Sequence, residues 1–382
     1  MFDLIIKNGK TLDLDNGLER ETALGIKDGK IKEVNLQPGG FSETAKAKRV
    51  VDAGGSYMFP GFIDFHTHLF SKGSFFGMNA DRLFSSGVTT AVDMGTAGAA
   101  NYEAFHLTDV KNKKMEIKTF LNLSPIGQPG SGINEPLAPE VISEKRMEEL
   151  IQEYAGEIKG IKVRLSKPIV GALGIEPLLH AVKLGERFSL PVCVHTTNPP
   201  VPAKEVVKVL RKGDIYSHTF HNKGFTILDE KGHVQKEFFE AQERGVILEL
   251  GNGKMNFSFE VAKKALADGL FPDVISSDST KTTYQTSNLM RDLSFVMSKM
   301  WNMGMPLHDV IRSVTVTPAE LLGEPERIGA LKEGYEADIA ICRRAEENVI
   351  FEDSDGERLE GTKLLIPEMT IKGGEIVYSI NQ

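Results

Sequence analysis

Short runs of alternating apolar and polar residues occupy both ends of the chain, and apolar runs interleaved with helix-period stretches fill its middle. Near the start, Asp3–Lys7, Ala23–Lys27 and Lys30–Val34 are punctuated by Asn8-Gly9 and Asp28-Gly29, dipeptides that favour tight hairpins. The same texture returns over 337–342, 347–352 and 370–378, so the two ends are expected to pair into one discontinuous β unit. Between them, eight segments are candidate strands: 61–69, 88–94, 117–124, 160–166, 191–197, 214–220, 246–251 and 273–279. Helical periodicity is clearest over 144–157, 176–188, 204–212, 236–244 and 259–268, with closing helices expected over 289–303 and 307–322. Strands alternating with helices over about 250 residues predict an α/β fold, a (β/α)8 TIM barrel with a small discontinuous β-sandwich domain formed by the N- and C-terminal segments. The expected limits are 1–56 for the first part of the small domain, 57–331 for the barrel and 332–382 for the second part. A doubly wound open sheet is the rival, although no Gly-x-Gly-x-x-Gly follows an early strand.

Polar residues interrupt these apolar runs at strand ends. The first candidate strand, Pro60-Gly-Phe-Ile-Asp-Phe-His-Thr-His68, closes on two histidines one residue apart. Side chains at that spacing share a face, with Cα atoms about 7 Å apart, which suits two imidazoles on one ion. Lys162 sits in the fourth strand, His195 ends the fifth, His218 lies late in the sixth and Asp278 ends the eighth. The C-terminal strand ends of a parallel barrel meet on the rim where barrel active sites lie, so six polar groups would converge. A single strand-end histidine is more often a hydrogen-bonded core residue; six such coincidences point to a site. In 160–166, alternation sets Ile161, Val163 and Leu165 outward and turns Lys162 and Arg164 toward the interior, where an unpaired ammonium is costly. Asp278 likewise demands a cation or a shared proton.

Charge and composition narrow the field. The 382 residues carry a net charge of -8 with no basic run beyond the scatter at Lys111 to Lys114, which argues against nucleic-acid or anionic-membrane partners. The N-terminus lacks a charged segment followed by a long apolar one, and no window approaches a membrane span, so a cytoplasmic location is expected. Cys193 and Cys342 form neither a disulfide framework nor a metal knuckle and are read as reduced, buried thiols.

The chain resembles the amidohydrolase superfamily of barrel metallohydrolases. Pro60-Gly-Phe-Ile-Asp-Phe-His-Thr-His68 matches the strand-one signature, and Thr317-Pro-Ala-Glu-Leu-Leu-Gly323, Gly329-Ala-Leu-Lys-Glu-Gly334 and Ala337-Asp338 match the characteristic ending. The resemblance implies that His66, His68 and Asp278 bind one metal and His195 and His218 a second. It also implies that Lys162 bridges both as a lysine carboxylated by carbon dioxide, a modification that would relieve the buried cation. Imidazole and carboxylate donors suit zinc, with Mn²⁺, Fe²⁺ and Co²⁺ left open. Asp278 is then the catalytic group, taking a proton from the attacking water and passing it to the leaving group.

Departures within the family sharpen the expectation. Dihydroorotases carry an arginine where this chain has Phe70, and glucosamine-phosphate deacetylases use a strand-three glutamate where this chain reads Phe120-Leu-Asn-Leu-Ser124. Mononuclear base deaminases carry a His-x-x-Glu after strand five and a histidine just beyond the last aspartate, against His195-Thr-Thr-Asn198 and Asp278-Ser-Thr280 here. The motifs Gly160-Ile-Lys-Val-Arg-Leu-Ser166, His195-Thr-Thr-Asn-Pro-Pro200 and His218-Thr-Phe-His-Asn-Lys223 look most like the dihydroorotase-like deacetylase branch. The expected reaction is hydrolysis of an amide or ester of a small acidic substrate, foremost deacetylation of an acetylated amino or hydroxy acid. A cyclic amidase, dipeptidase or deaminase is the alternative, and a catalytically idle binding protein a third reading. Arg164 is the candidate for a substrate carboxylate, with an internal ion pair as the competing reading, and His221 and Lys223 are further substrate-binding candidates. Asn252 and Met255 lie where a substrate-covering loop would start, with Gly251 and Gly253 as hinges. His106, His180, His233 and His308 are read as ordinary surface or interhelix residues. The stripe Phe295 to Trp301 is a packing face against the barrel or a partner subunit, which leaves a homo-oligomer open.

Overall fold

The computed structural model describes residues 1–37, 40–41, 45–285 and 288–380. Two sheets organise them. The first joins both ends of the chain in the order Glu375–Ser379, Arg358–Lys372, Ile339–Glu352, Tyr57–Pro60, Phe2–Leu12, Glu19–Lys27 and Lys30–Asn35, with Ala47–Asp52 also on Phe2–Leu12. Asp28-Gly29 is the expected two-residue hairpin, both residues at positive φ (51° and 75°). Asn8-Gly9 is not a hairpin: it lies inside Phe2–Leu12, where Asn8 takes φ 56° and the register shifts between Ile6 and Gly9. The bulge lets one strand change neighbours, from Ala47–Asp52 before it to Tyr57 beyond it.

Strand Tyr57–Pro60 pairs with Ile339 to Cys342, so the chain leaves the terminal sheet at Gly61, beyond the limit at residue 57 read from the sequence. There Gly61 N–H donates to Asp338 O (2.8 Å) and Phe62 N–H to Gly87 O (2.9 Å). A Cβ on Gly61 would stand 2.2 Å from Thr89 Oγ1, so the crossing admits no side chain.

The second sheet is a curled, wholly parallel one: Phe62–Thr67, Val88–Gly98, Glu116–Asn122, Ile158–Arg164, Val192–His195, Ile215–Ser217 and Ile247–Glu249 in sequential order. The helices Glu144–Glu153, Glu176–Phe188, Ala203–Lys208, Lys236–Glu243 and Phe259–Ala267 follow the expected pattern with trimmed ends. Ile161, Val163 and Leu165 share an apolar cluster with Leu178, Ala181 and Leu184 of Glu176–Phe188, the outward packing that alternation predicts. The eighth expected strand is not a regular strand: Val274 and Ser279 make isolated bridges to Glu249 and Thr67. Segment 273–279 nevertheless bonds to both sheet edges, through Leu250 N–H to Val274 O (2.9 Å) on one side and Asp278 N–H to His66 O (2.8 Å) on the other.

The helix expected over 307–322 is two, Leu307–Arg312 and Val316–Leu321. Pro318 has no N–H to give the carbonyl four residues back, so the second helix restarts with the proline in its first turn. The stripe Phe295 to Trp301 lies in Leu293–Asn302, whose residues from Leu293 to Trp301 are all buried within this chain.

Charged side chains fasten the two sheets. Glu116 is paired with Lys372 (3.2 Å), Lys118 (3.0 Å) and Arg327, while Lys372 also pairs with Asp338 (2.7 Å). Burial alone would raise the Glu116 carboxyl, but Lys372, Arg327 and Lys118 hold it down at about 2. Because the folded value is depressed, the stabilisation is complete above the ordinary carboxylate range and fades as pH falls toward 2. Glu116→Gln should therefore lower stability in urea unfolding by about 3 kcal/mol at pH 7, with the gap from wild type closing as the pH is taken from 4.5 to 2. A gap independent of pH would assign the loss to packing.

Candidate metal centre

The site residues come from the C-terminal ends of the parallel strands. His66 lies in Phe62–Thr67 with His68 just beyond it, Lys162 and Arg164 are in Ile158–Arg164, His195 ends Val192–His195, and His218 follows Ile215–Ser217. His218 and Asp278 have φ of 68° and 53°, the left-handed region that costs a non-glycine residue energy and gathers at functional sites. The first of these turns ends its strand at Ser217, short of the expected limit at 220. Room for them is made by glycines: a Cβ on Gly251 would stand 2.4 Å from His218 Nδ1, and one on Gly253 would stand 2.3 Å from Asp278 Oδ2.

The donor atoms converge. Asp278 Oδ1 lies 3.2 Å from His68 Nε2 and 3.6 Å from His66 Nε2. The His218 ring is centred 5.0 Å from His66 and 4.4 Å from His195. Two groups have donor atoms within 4.8 Å of one another, His66 with His68 and Asp278, and His66 with His218 and Glu249. His218 Nδ1 faces the Gly251 carbonyl at 2.8 Å, so Nδ1 carries the proton and the Nε2 lone pair is turned inward, buried without a partner. Lys162 has no solvent exposure; it touches the Cys193 thiol at 3.6 Å and forms no ion pair among the described residues.

Electrostatics favour the ligand forms. Burial pushes His218 down to about 3, aided by His66; it also lowers His66 and His195, with Lys162 and His218 respectively contributing. These imidazoles are neutral, the form that binds cations. Burial would raise the Asp278 carboxyl, but attraction to a protonated ring among His66, His68 and His218 holds it well below the usual carboxylate range, so Asp278 is the group that stays ionised. An orphaned Nε2, neutral imidazoles and an ionised carboxylate suit a divalent cation, whereas Lys162 in its charged form would oppose one.

A cavity of about 400 Å³ opens above these groups, walled by Phe76, Gln128, Arg164, Ile169, Thr197 and Met255 among others. A larger one, about 690 Å³, lies away from the histidines against the terminal sheet. Two ion pairs lie in its wall, Arg20 with Asp13 (3.3 Å) and Arg312 with Asp15 (2.6 Å).

Of the three substrate-binding candidates, only Arg164 reaches the cavity wall. It is paired there with buried Glu135, and Arg164 Nε and Glu135 Oε2 remain buried without partners. His221 is buried elsewhere, its Nδ1 accepting from Lys223 N–H (3.2 Å), and Lys223 Nζ pairs with Asp355 (2.6 Å) of the terminal hairpin. His106, His180, His233 and His308 pair with Glu157, Glu144, Asp268 and Asp309, and none of them lines the cavity.

Three contributors escaped the sequence reading. Glu249 had a signal, since Val246, Leu248 and Leu250 pack outward and alternation turns Glu249 inward. Asn256 and Glu135 lie in loops, where no periodicity marks a residue. Asn256 Nδ2 donates to Asp278 Oδ2 (2.8 Å) and its Oδ1 accepts from the Thr197 hydroxyl (2.8 Å), which fixes the carboxylate's rotation.

The amidohydrolase family model matches residues 57–377. A deacetylase of Enterococcus faecalis is 31% identical over 98% of this chain and 99% of its own. A deacetylase of Agrobacterium fabrum is 30% identical over 92% and 85%. The crystal structure of an adenine deaminase superposes with a TM-score of 0.91 at 29% identity, covering 99% of this chain and 100% of the other.

Lys162 supplies a test that needs no substrate. Lys162→Met removes a buried, unpaired ammonium, so in chelator-treated, carbon-dioxide-free buffer its thermal midpoint should equal or exceed that of wild type, by the equivalent of about 1–4 kcal/mol. Plasma mass spectrometry after metal loading should find fewer bound ions. A lower midpoint in the metal-free protein would contradict the assignment of Lys162 as an uncompensated charge.

Proposed function

We propose, on the premise that this chain belongs to the amidohydrolase family, that it removes the acetyl group from a small acetylated carboxylic acid. It is a hydrolase of amide or ester bonds. The observation that carries the metal-dependent form of the reading is Lys162, a fully buried lysine that forms no ion pair among the described residues, on the strand beside the imidazoles and the Asp278 carboxylate. Deacetylase relatives that span the chain nearly end to end support the choice of reaction.

In this reading His66, His68 and Asp278 would hold one divalent ion, His195 and His218 would hold a second, and Lys162, once carboxylated by carbon dioxide, would serve as a further ligand, zinc being the first choice of metal. The ions, when bound, lower the pKa of a water and polarise the substrate carbonyl. Asp278 takes the proton of the attacking water and returns it to the leaving nitrogen or oxygen. Asn256, clamping Oδ2, keeps Oδ1 directed at the histidine pair. Arg164 receives the substrate carboxylate, its unpartnered Nε offering a donor beside the bond to Glu135. Phe76 and Ile169 supply apolar wall that limits water around the reacting carbonyl.

The same reading takes the parallel sheet with segment 273–279 as a closed (β/α)8 barrel, and the terminal strands as a flanking β-sandwich domain in two parts. A cytoplasmic location belongs to it as well; no helix among the described residues is long and apolar enough to cross a membrane. Deamination is kept as the second reading because of the close superposition on an adenine deaminase.

A panel of N-acetyl amino acids and O-acetyl hydroxy acids, set against cyclic ureides and adenine, separates the readings. Turnover of acetylated acids, lost by at least 10²-fold in Asp278→Asn, is expected. Turnover of a ureide or of adenine with none of the acetyl compounds would replace the proposal. Arg164→Met, made with Glu135→Gln so that no carboxylate is stranded, should raise KM for acidic substrates about tenfold or more and leave the metal content intact. Loss of metal in the double variant would show that the pair is structural.

A further inference from the structure

We propose that Glu249 is a positioning residue that keeps the His66 proton on Nδ1 and thereby turns the Nε2 lone pair toward the metal centre. The inference rests on the reading of His66 as a metal ligand and extends it to a carboxylate outside the six-residue set.

Glu249 has no solvent exposure, and its two carboxylate oxygens lie 3.2 and 3.3 Å from His66 Nδ1. The Ser276 hydroxyl donates to Oε1, and the Ser217 hydroxyl lies 3.3 Å from the same His66 nitrogen. Gly251 keeps the space open, since a Cβ there would stand 3.0 Å from Glu249 Oε2. A carboxylate accepts hydrogen bonds and donates none, so a buried one in contact with a ring nitrogen requires that nitrogen to carry hydrogen.

His66 stands between two carboxylates. Nδ1 faces Glu249 at 3.2 Å, and Nε2 faces Asp278 Oδ1 at 3.6 Å. A ring that serves as a ligand is neutral and has one proton to share between them. The shorter contact, reinforced by a hydroxyl at either side, assigns that proton to Glu249. What is left across the 3.6 Å gap is a nitrogen lone pair facing a carboxylate oxygen, with His68 Nε2 3.2 Å from the same oxygen. That lone pair and the carboxylate oxygen repel each other until a cation enters between them. The proton placed on one side of the ring thus prepares the other side, and a carboxylate behind a ligating histidine commonly raises metal affinity in this way.

Glu249→Gln preserves shape and removes the charge. Chelator competition with Zn²⁺ in bicarbonate buffer should show one of the two ions bound 10- to 100-fold more weakly than in wild type and the other unchanged, while the unfolding midpoint of the metal-free variant reports its packing separately. Neutron diffraction from the zinc-loaded wild-type protein, which does not depend on the variant folding, should place a deuteron on His66 Nδ1 directed at Glu249. Equal affinity for both ions in Glu249→Gln, or a deuteron on Nε2, would overturn the inference and leave the proposed function standing. A wild-type protein that binds no divalent ion would overturn both.

Discussion

A buried ammonium with no opposite charge beside it is unstable in a protein interior, and the arrangement of the site follows from where the chain puts one. The strand register sets Lys162 between Asn122 and Cys193, both neutral, and Gly95 leaves room where a Cβ would stand 2.6 Å from the lysine's own. The other inner cation, Arg164, has its partner in Glu135, so that carboxylate is committed. Asp278 and Glu249 face the imidazoles. Under the proposed reading, carboxylation of Lys162 would change its sign, remove the penalty and add a ligand, so that the desolvation cost becomes part of the design of the centre.

The same economy of protons governs the histidines. Each of three rings presents Nδ1 to a fixed acceptor: Glu249 for His66, the Thr96 hydroxyl for His68 (2.9 Å), and the Gly251 carbonyl for His218 (2.8 Å). Thr96 is itself held by buried Asp93, whose carboxylate accepts its backbone N–H at 2.8 Å. Tautomers set by the surrounding protein leave the Nε2 lone pairs directed inward before any ligand arrives. The left-handed turns at His218 and Asp278 show that this order has a backbone cost, offset by hydrogen bonds such as Asp278 N–H to His66 O.

Much of this was legible in the chain because periodicity reports which way a side chain faces. Alternation in 160–166 was enough to turn Lys162 inward, and His66, His68, His195, His218 and Asp278 line one cavity. Strand ends were less legible: a left-handed residue at 218 stops one strand at Ser217, short of the expected 220, and 273–279 makes isolated bridges in place of a regular strand. Asn8-Gly9 carries the composition of a hairpin turn and forms a bulge, because the choice depends on two other strands competing for Phe2–Leu12. The loop residues Asn256 and Glu135 had no local pattern; their roles exist only once Asp278 and Arg164 are in place. Lys223 looked like a substrate ligand because it lies near His218 in sequence, whereas its partner, Asp355, is remote in the chain and close in the fold.

That last pair shows why the terminal sheet belongs to the site as much as the parallel one. The hairpin between Ile339–Glu352 and Arg358–Lys372 reaches the rim: Asp353 accepts from Phe259 N–H (2.9 Å), and Ser354 N–H donates to Phe257 O (3.0 Å). Lys299, buried beside the Phe257 ring, donates to Asn252 Oδ1 (2.9 Å), Leu289 O (2.8 Å) and Glu352 O (3.1 Å). Burial pushes this ammonium down to about 7, yet three acceptors match the three N–H bonds of its charged form. Through Lys299 the hairpin is tied to the start of loop 251–256, the loop whose Gly253 admits Asp278 and whose Asn256 holds Asp278 Oδ2. A carboxylate in a strained conformation needs its loop held from outside the parallel sheet, and the chain returns at its C-terminal end to supply that hold.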